Sequence, residues 1–331
     1  MNIISETITK LRQLNQVKVQ ENWFYYSSDL PLAPLNKTEI AHWSIAPVND
    51  KGYIVWNAGR CVHWLAQTFT IPQNLQGYSL AGMVVRLLLT WWAEDAKIFI
   101  NGKLVQEGDL FDSSTRILLT SSATPGEEIV VALRLVSPGH DIGGLMRSEL
   151  VYEAVNSDNL EPGFIANELE VLEKYLAKFE PEKLETVTTA LAKIDWNKVR
   201  NRREFDNSLA NLRQTLQPLA INLKKRCIHL LGHAHLDMAW LWPVAETWEV
   251  AQRTFTSVLN LQKDYPYLTF CHTSPALYAW IEKNRPDLFK AIQEAIKAQS
   301  WEVVGGMWVE PEVNLVAGES LVRQLLYGQH Y

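Results

Sequence analysis

The sequence predicts a multidomain chain. A β-sandwich (jelly-roll-like) N-terminal domain comes first and a helical connector second. A parallel α/β sheet or the first part of an α/β (βα) barrel, left incomplete, comes last. Three observations predict this order. An Asn-Gly pair sits between apolar runs inside a β-rich stretch. Leucines then recur at helical spacing. From Arg226 onward, short apolar runs alternate with helical patterns. The 331 residues correspond to about two domains at roughly 100–200 residues each. Hydrophobic residues make up 47% and charged residues 21%, enough apolar material to bury a core, so disorder is excluded as the main state.

Residues 1–40 begin with Ile4, Ile8, Leu11 and Leu14 at helical spacing. Pro31, Pro34 and Asn36 mark the loop that follows. Residues 41–155 form the predicted β domain. Residues 84–92 are strongly apolar and end in Trp91-Trp92, which as strand neighbours face opposite sides, one of them the core. The run Lys97-Ile98-Phe99-Ile100 leads into Asn101-Gly102, and Lys103-Leu104-Val105 follows. That dipeptide predicts a two-residue hairpin, because a type I′ turn needs positive φ at both positions. Residues 129–136 are rich in β-formers.

Residues 156–225 change character and form the connector. Leu169, Leu172, Leu176 and Phe179 share a face of a helix predicted over 166–179, which Pro181 ends. Further helices are predicted over 182–194 and 205–216. Lys198, Arg200, Arg202 and Arg203 form a small basic run, expected to be a solvated helix face. In residues 226–331, Cys227-Ile228-His229-Leu230-Leu231 has the pattern of a buried strand, and a helix is predicted over 246–263. A second strand is predicted over 268–272, helix within 277–296, a third strand over 301–307, and another helix from 319 to 327. Strand–helix alternation implies parallel strands. Three strands cannot close a barrel.

Thirty-one basic against 37 acidic residues give a net charge of −6, which argues against a nucleic-acid binder. Cys61, Cys227 and Cys271 lie far apart, so neither a disulfide scaffold nor a cysteine zinc ribbon is expected. The segment MNIISETITKLRQLNQ has no apolar h-region. The longest apolar stretch, residues 80–93, is cut by Arg86 and Thr90 and is too short for a bilayer. A cytoplasmic protein is the expectation.

The chemistry-bearing segment is Gly232-His233-Ala234-His235-Leu236-Asp237-Met238-Ala239-Trp240. It follows a predicted strand. Residues at i, i+2 and i+4 of an extended chain point to one side, so His233, His235 and Asp237 converge. In α/β folds the carboxyl ends of strands are where active sites are built, and imidazole and carboxylate are good Zn²⁺ ligands. The pattern alone does not choose an enzyme class, since metal-dependent amidohydrolases also begin with His-x-His after a first strand.

Downstream segments narrow the choice. His272-Thr273-Ser274-Pro275 leads to Tyr278-Ala279-Trp280. The segments GHAHLDMAWLWP (232–243), GGMWVEPEVN (305–314) and GESLVRQ (318–324) closely resemble, in order and spacing, the N-terminal part of glycoside hydrolase family 38, the α-mannosidases. The resemblance runs from about Arg226 to Tyr331. The preceding β-rich region is similar to the jelly roll of the family's bacterial and vacuolar branch. The GGMW and GESLVRQ segments have no place in an amidohydrolase.

The resemblance implies a retaining α-mannosidase with a seven-stranded βα barrel and one Zn²⁺, acting on mannose-containing oligosaccharides. It makes His235 and Asp237 zinc ligands and Trp240 the ring that stacks on mannose. His233 is expected to orient the ligands. Glu310 and Glu312 either line the sugar pocket, hydrogen-bond to zinc ligands or close a polar strand end, and Glu310 is expected to support a ligand. Trp308 is expected in the core, and Arg323 and Gln324 on a helix surface. Gly305-Gly306 allow close backbone approach or unusual φ.

The family's nucleophile, an Asp in a D-x-F-G segment after the GESLVRQ helix, has no counterpart here. After Asp237 the only aspartates are Asp264 and Asp287, in other contexts. The expectation is therefore the N-terminal portion of an α-mannosidase, inactive alone, completed by the missing C-terminal half. The alternative is a non-catalytic carbohydrate-binding or assembly subunit of a split mannosidase.

Overall fold

The computed structural model describes residues 3–34, 36–110, 112–155, 160–240 and 242–331. The chain divides into two compact units, residues 1–226 and 227–331.

The first unit holds two large antiparallel sheets and a two-stranded ribbon, Asn74–Leu75 with Tyr78–Ser79. One has the order Gln16–Lys18, Gly143–Glu153, Val84–Trp92, Ser114–Thr120, with Ile54–Trp56 also paired to Gly143–Glu153. The other runs Lys103–Gly108, Asp95–Ile100, Glu128–Val136, Val62–Thr70, Phe24–Tyr26, Ser44–Ile45. Period-two patterning decides what is buried. Val85, Leu87, Leu89 and Trp91 from the first sheet join Ile129, Val131, Leu133 and Leu135 from the second in one apolar cluster. Trp91 faces this core, whereas Trp92 donates its indole N–H to Asp141 at 3.2 Å. The hairpin turns at Asn101 (φ 47°) and Gly102 (φ 76°), as the type I′ expectation requires.

The same cluster continues through helix Ile3–Arg12 (Ile4, Ile8, Leu11) and helices Pro162–Phe179, Leu184–Leu191 and Arg202–Leu216. Sheets and helices thus share one core. Helix Pro162–Phe179 begins four residues earlier than its leucine pattern predicts. The Glu161 carboxylate caps it, accepting from the Gly163 and Phe164 N–H groups, each at 2.7 Å, and Pro162 presets the first turn. Glu161 also accepts from Asn15 at 2.8 Å. Residues 156–159, where the predicted connector begins, lie outside the described residues.

The second unit is a three-stranded parallel sheet in the order Gly232–His233, Phe270–His272, Trp301–Val303. Helices Val244–Asp264, Pro275–Asn284, Pro286–Lys297 and Gly318–His330 alternate with the strands. Phe255, Phe270, Leu277, Tyr278, Ile281, Ile292 and Trp301 form its core. The helical pattern over 277–296 is broken at Arg285, because a residue before proline is pushed out of the helical region. The third strand stops at Val303, short of Met307, and Gly305 beyond it has φ 82°.

The expected buried strand over 227–231 is not formed. The ladder starts only at Gly232, opposite Phe270. Among the described residues no strand pairs with those before it, and Ile228 and Leu230 are 80% and 84% exposed. Among the described residues no helix is long and apolar enough to cross a membrane.

Candidate metal centre

The site is built at the carboxyl end of strand Gly232–His233, the first strand of the parallel sheet. His233 closes the strand. Its Nδ1 lies 2.9 Å from the Cys271 carbonyl of the neighbouring strand. A carbonyl only accepts, so His233 Nδ1 is the donor of this bond. The His233 ring stacks on His272 at 5.7 Å.

Two residues on, His235 Nε2 lies 2.8 Å from Asp237 Oδ1. Their side chains are 66% and 34% exposed. The structure thus brings together His235 and Asp237, whereas His233 is bonded to the neighbouring strand and does not join them in a group of three among the described residues. Trp240 is 66% exposed and packs edge-on against Trp242 at 6.0 Å. Between Asp237 and Trp240 the chain makes a left-handed turn at Ala239, φ 57°, a conformation that costs an L-residue about 1 kcal/mol. Leu241 lies outside the described residues.

Glu310 is exposed, with no hydrogen bond or ion pair to His233, His235 or Asp237 among the described residues. Gln324 reaches the same segment. Its carbonyl accepts from the Trp308 N–H and its side-chain Oε1 from the Val309 N–H, each at 2.8 Å. Gln324 therefore ties helix Gly318–His330 to the GGMWVE segment. Arg323 pairs with Glu319 along the same helix at 2.9 Å. A Cβ on Gly328 would run into the backbone of Gly306, which is the close approach expected of that glycine pair.

Sequence reasoning assigned no role to two further residues near the site. His272 is 2% exposed among Phe255, Phe270 and Tyr278. Burial pushes its imidazole down to about 4, so it is neutral near pH 7. Thr247, in the first turn of helix Val244–Asp264, is 1% exposed and bonded to the Asp237–Trp242 turn. Its position ten residues after Asp237, just past Pro243, was the available signal.

Two donors that share one Zn²⁺ tetrahedrally stand about 3.4 Å apart, from typical Zn–N and Zn–O lengths. The 2.8 Å pair needs only a small opening to reach that span, so His235 and Asp237 fit half of a zinc site. Among the described residues no group of three or more His, Cys, Asp or Glu side chains is placed to hold a metal ion.

Residues 225–331 match the glycosyl hydrolases family 38 N-terminal domain. Three relatives align over nearly the same segment. Alpha-mannosidase 2C1 of Homo sapiens is 38% identical over 104 residues, 31% of this chain and 10% of that protein. Alpha-mannosidase G of Dictyostelium discoideum is 37% identical over 101 residues, covering 30% and 9%. Alpha-mannosidase of Saccharomyces cerevisiae is 34% identical over 105 residues, covering 31% and 10%. These matches confirm the resemblance of the C-terminal unit to family 38 α-mannosidases. The matched segment spans about a tenth of the length of these relatives.

Proposed function

We propose that residues 227–331 are the opening section of the catalytic domain of a zinc-dependent, retaining α-mannosidase. The observation that carries this reading is the His235–Asp237 pair at 2.8 Å, placed at the carboxyl end of the first parallel strand. His235 and Asp237 would hold Zn²⁺, with His233 fixing their orientation from the sheet. A bound Zn²⁺ supplies Lewis-acid contact to hydroxyls of the mannosyl ring. Trp240 presents an exposed indole on which the ring of a mannose-containing oligosaccharide stacks.

A retaining glycosidase uses two carboxylates flanking the scissile bond, and neither is assigned among these residues. The remaining zinc ligands and the nucleophile are proposed to come from the rest of the barrel. The exposed Ile228, Leu230 and Leu231 favour a surface that further barrel elements cover. That observation equally supports the second reading, an assembly or carbohydrate-binding subunit without turnover of its own.

The test has two steps. Zn²⁺ uptake is measured by competition with a chromogenic chelator on the whole chain and on its His235→Ala variant. Hydrolysis of 4-nitrophenyl α-D-mannopyranoside is then assayed with and without a polypeptide supplying the missing barrel half. Turnover that appears only on complementation, and is lost with His235→Ala, supports the catalytic reading. Mannoside binding without turnover in the complemented sample supports the second. No His235-dependent metal uptake in any sample refutes the zinc assignment.

A further inference from the structure

We propose that Thr247 is a positioning residue that locks the turn carrying Asp237 and Trp240, through a hydroxyl whose whole hydrogen-bonding capacity is spent on that turn. A threonine hydroxyl has one proton to give and two lone pairs. The Thr247 hydroxyl donates to the Asp237 carbonyl at 3.3 Å. It accepts from the Ala239 N–H at 3.1 Å and from the Trp242 indole N–H at 3.0 Å. All three partners lie within six residues of one another, and none belongs to helix Val244–Asp264, which carries Thr247.

A threonine in the first turn of a helix ordinarily has a local use, satisfying the free N–H groups of its own helix end. Thr247 does not serve that purpose. The Pro243 carbonyl accepts from the Glu246 and Thr247 backbone N–H groups at 3.0 and 3.4 Å. The hydroxyl instead reaches back across the turn. The side chain is 1% exposed, so water does not compete for its bonds.

The turn needs such a lock. Ala239 sits at φ 57°, where an L-residue persists only if its surroundings hold it. Its own amide is one of the groups that Thr247 holds. Releasing that amide frees Ala239 to leave the left-handed region. Because Asp237 and Trp240 lie two residues before and one after Ala239, that relaxation swings the carboxylate away from His235 and the indole away from Trp242. The rigid helix thereby sets the separation of the ligand pair and the stance of the ring, while touching neither metal nor sugar.

The experiment is amide hydrogen exchange, followed by mass spectrometry on peptides spanning 233–243, with the whole chain and Thr247→Val, Thr247→Ala and Thr247→Ser. Valine keeps the shape and removes the hydroxyl, whereas serine keeps the hydroxyl. The expected result is at least tenfold faster exchange at Ala239 in the Val and Ala variants. Exchange in residues 251–258 of the helix stays at the wild-type rate, and the Ser variant restores protection at Ala239. Wild-type exchange at Ala239 in the Val variant overturns the proposal. So does faster exchange spread evenly over residues 227–331 with serine no better than alanine. If valine prevents folding, the Ser and Ala variants alone decide between these outcomes.

The lock's importance for a metal rests on the reading of the preceding section, and Zn²⁺ affinity is measured on the same samples. A fall of about tenfold with valine, reversed by serine, extends the lock to the ligand pair. Absence of zinc uptake in the wild type removes the metal reading and leaves the lock to be judged on exchange alone.

Discussion

Glu161 gives the first unit a specific pH dependence. Its carboxylate is 7% exposed and caps helix Pro162–Phe179. Burial raises its pKa from the ordinary 4.5 to about 7, despite the opposing bonds from Gly163 and Phe164, with a further upward push from Asp206. A raised folded-state pKa means the native chain holds this proton more tightly than the unfolded chain. The associated stability is complete below about pH 4.5 and is lost as pH rises through about 7. At about 1.4 kcal/mol per tenfold change in proton affinity, the loss is about 3 kcal/mol.

Urea unfolding of wild type and Glu161→Gln, followed by circular dichroism between pH 4.5 and 8, measures it. Glutamine does not titrate, so any fixed cost of altering the cap shifts its curve without tilting it. The wild-type stability is expected to fall by about 3 kcal/mol relative to the variant across that range. His272, lowered to about 4, contributes with the opposite sign: its stability is lost as pH falls below 6.5. It is present in both proteins and cancels. Parallel curves for the two proteins would refute the reasoning, since burial would then not hold the proton on Glu161.

Other expectations follow from single contacts. Tyr278→Phe removes the acceptor, 2.9 Å away, of the buried Trp301 indole N–H and should cost about 1–3 kcal/mol in denaturant unfolding. Ala239→Gly should relieve about 1 kcal/mol of left-handed strain, partly offset by a freer unfolded chain, whereas Ala239→Val should lower the melting temperature. Gly102→Ala places a side chain at φ 76° and should cost about 1 kcal/mol, read by the same unfolding assay. Asp237→Asn should weaken Zn²⁺ uptake while leaving the melting temperature of the metal-free chain unchanged, because the side chain is part-exposed and its bond to His235 lies at the surface.

Much of the local structure was legible because its causes are local. Asn101-Gly102 imposes a turn by its own φ preferences. The alternation of Val85, Leu87, Leu89 and Trp91 needs only the pleat to place it in a core. His235 does lie beside Asp237, but the strand itself ends at His233, and His233 joins no metal-holding group with them among the described residues. What was not legible depends on neighbours. Residues 227–231 carry the apolar pattern of a buried strand, but hydrophobicity does not say whether a pairing strand lies alongside. The ladder begins at Gly232 because that is where the partner strand begins. The early start of helix Pro162–Phe179 was hidden for a related reason. Glutamate is not among the favoured capping residues, and the Glu161 carboxylate that caps this helix is also held by Asn15, far away in sequence.

Thr247 is the sharpest case. Its position, a threonine in a helical first turn, reads locally as a cap. Its three partners lie five to ten residues back, across a turn whose course no periodicity announces. The residues that would touch metal and sugar are recognisable by their chemistry, since imidazole, carboxylate and indole are suited to those contacts. The residue bonded to the backbone of Asp237 and Ala239 has no distinctive chemistry. It has only a saturated hydroxyl in a buried place, and only the packed structure supplies that place.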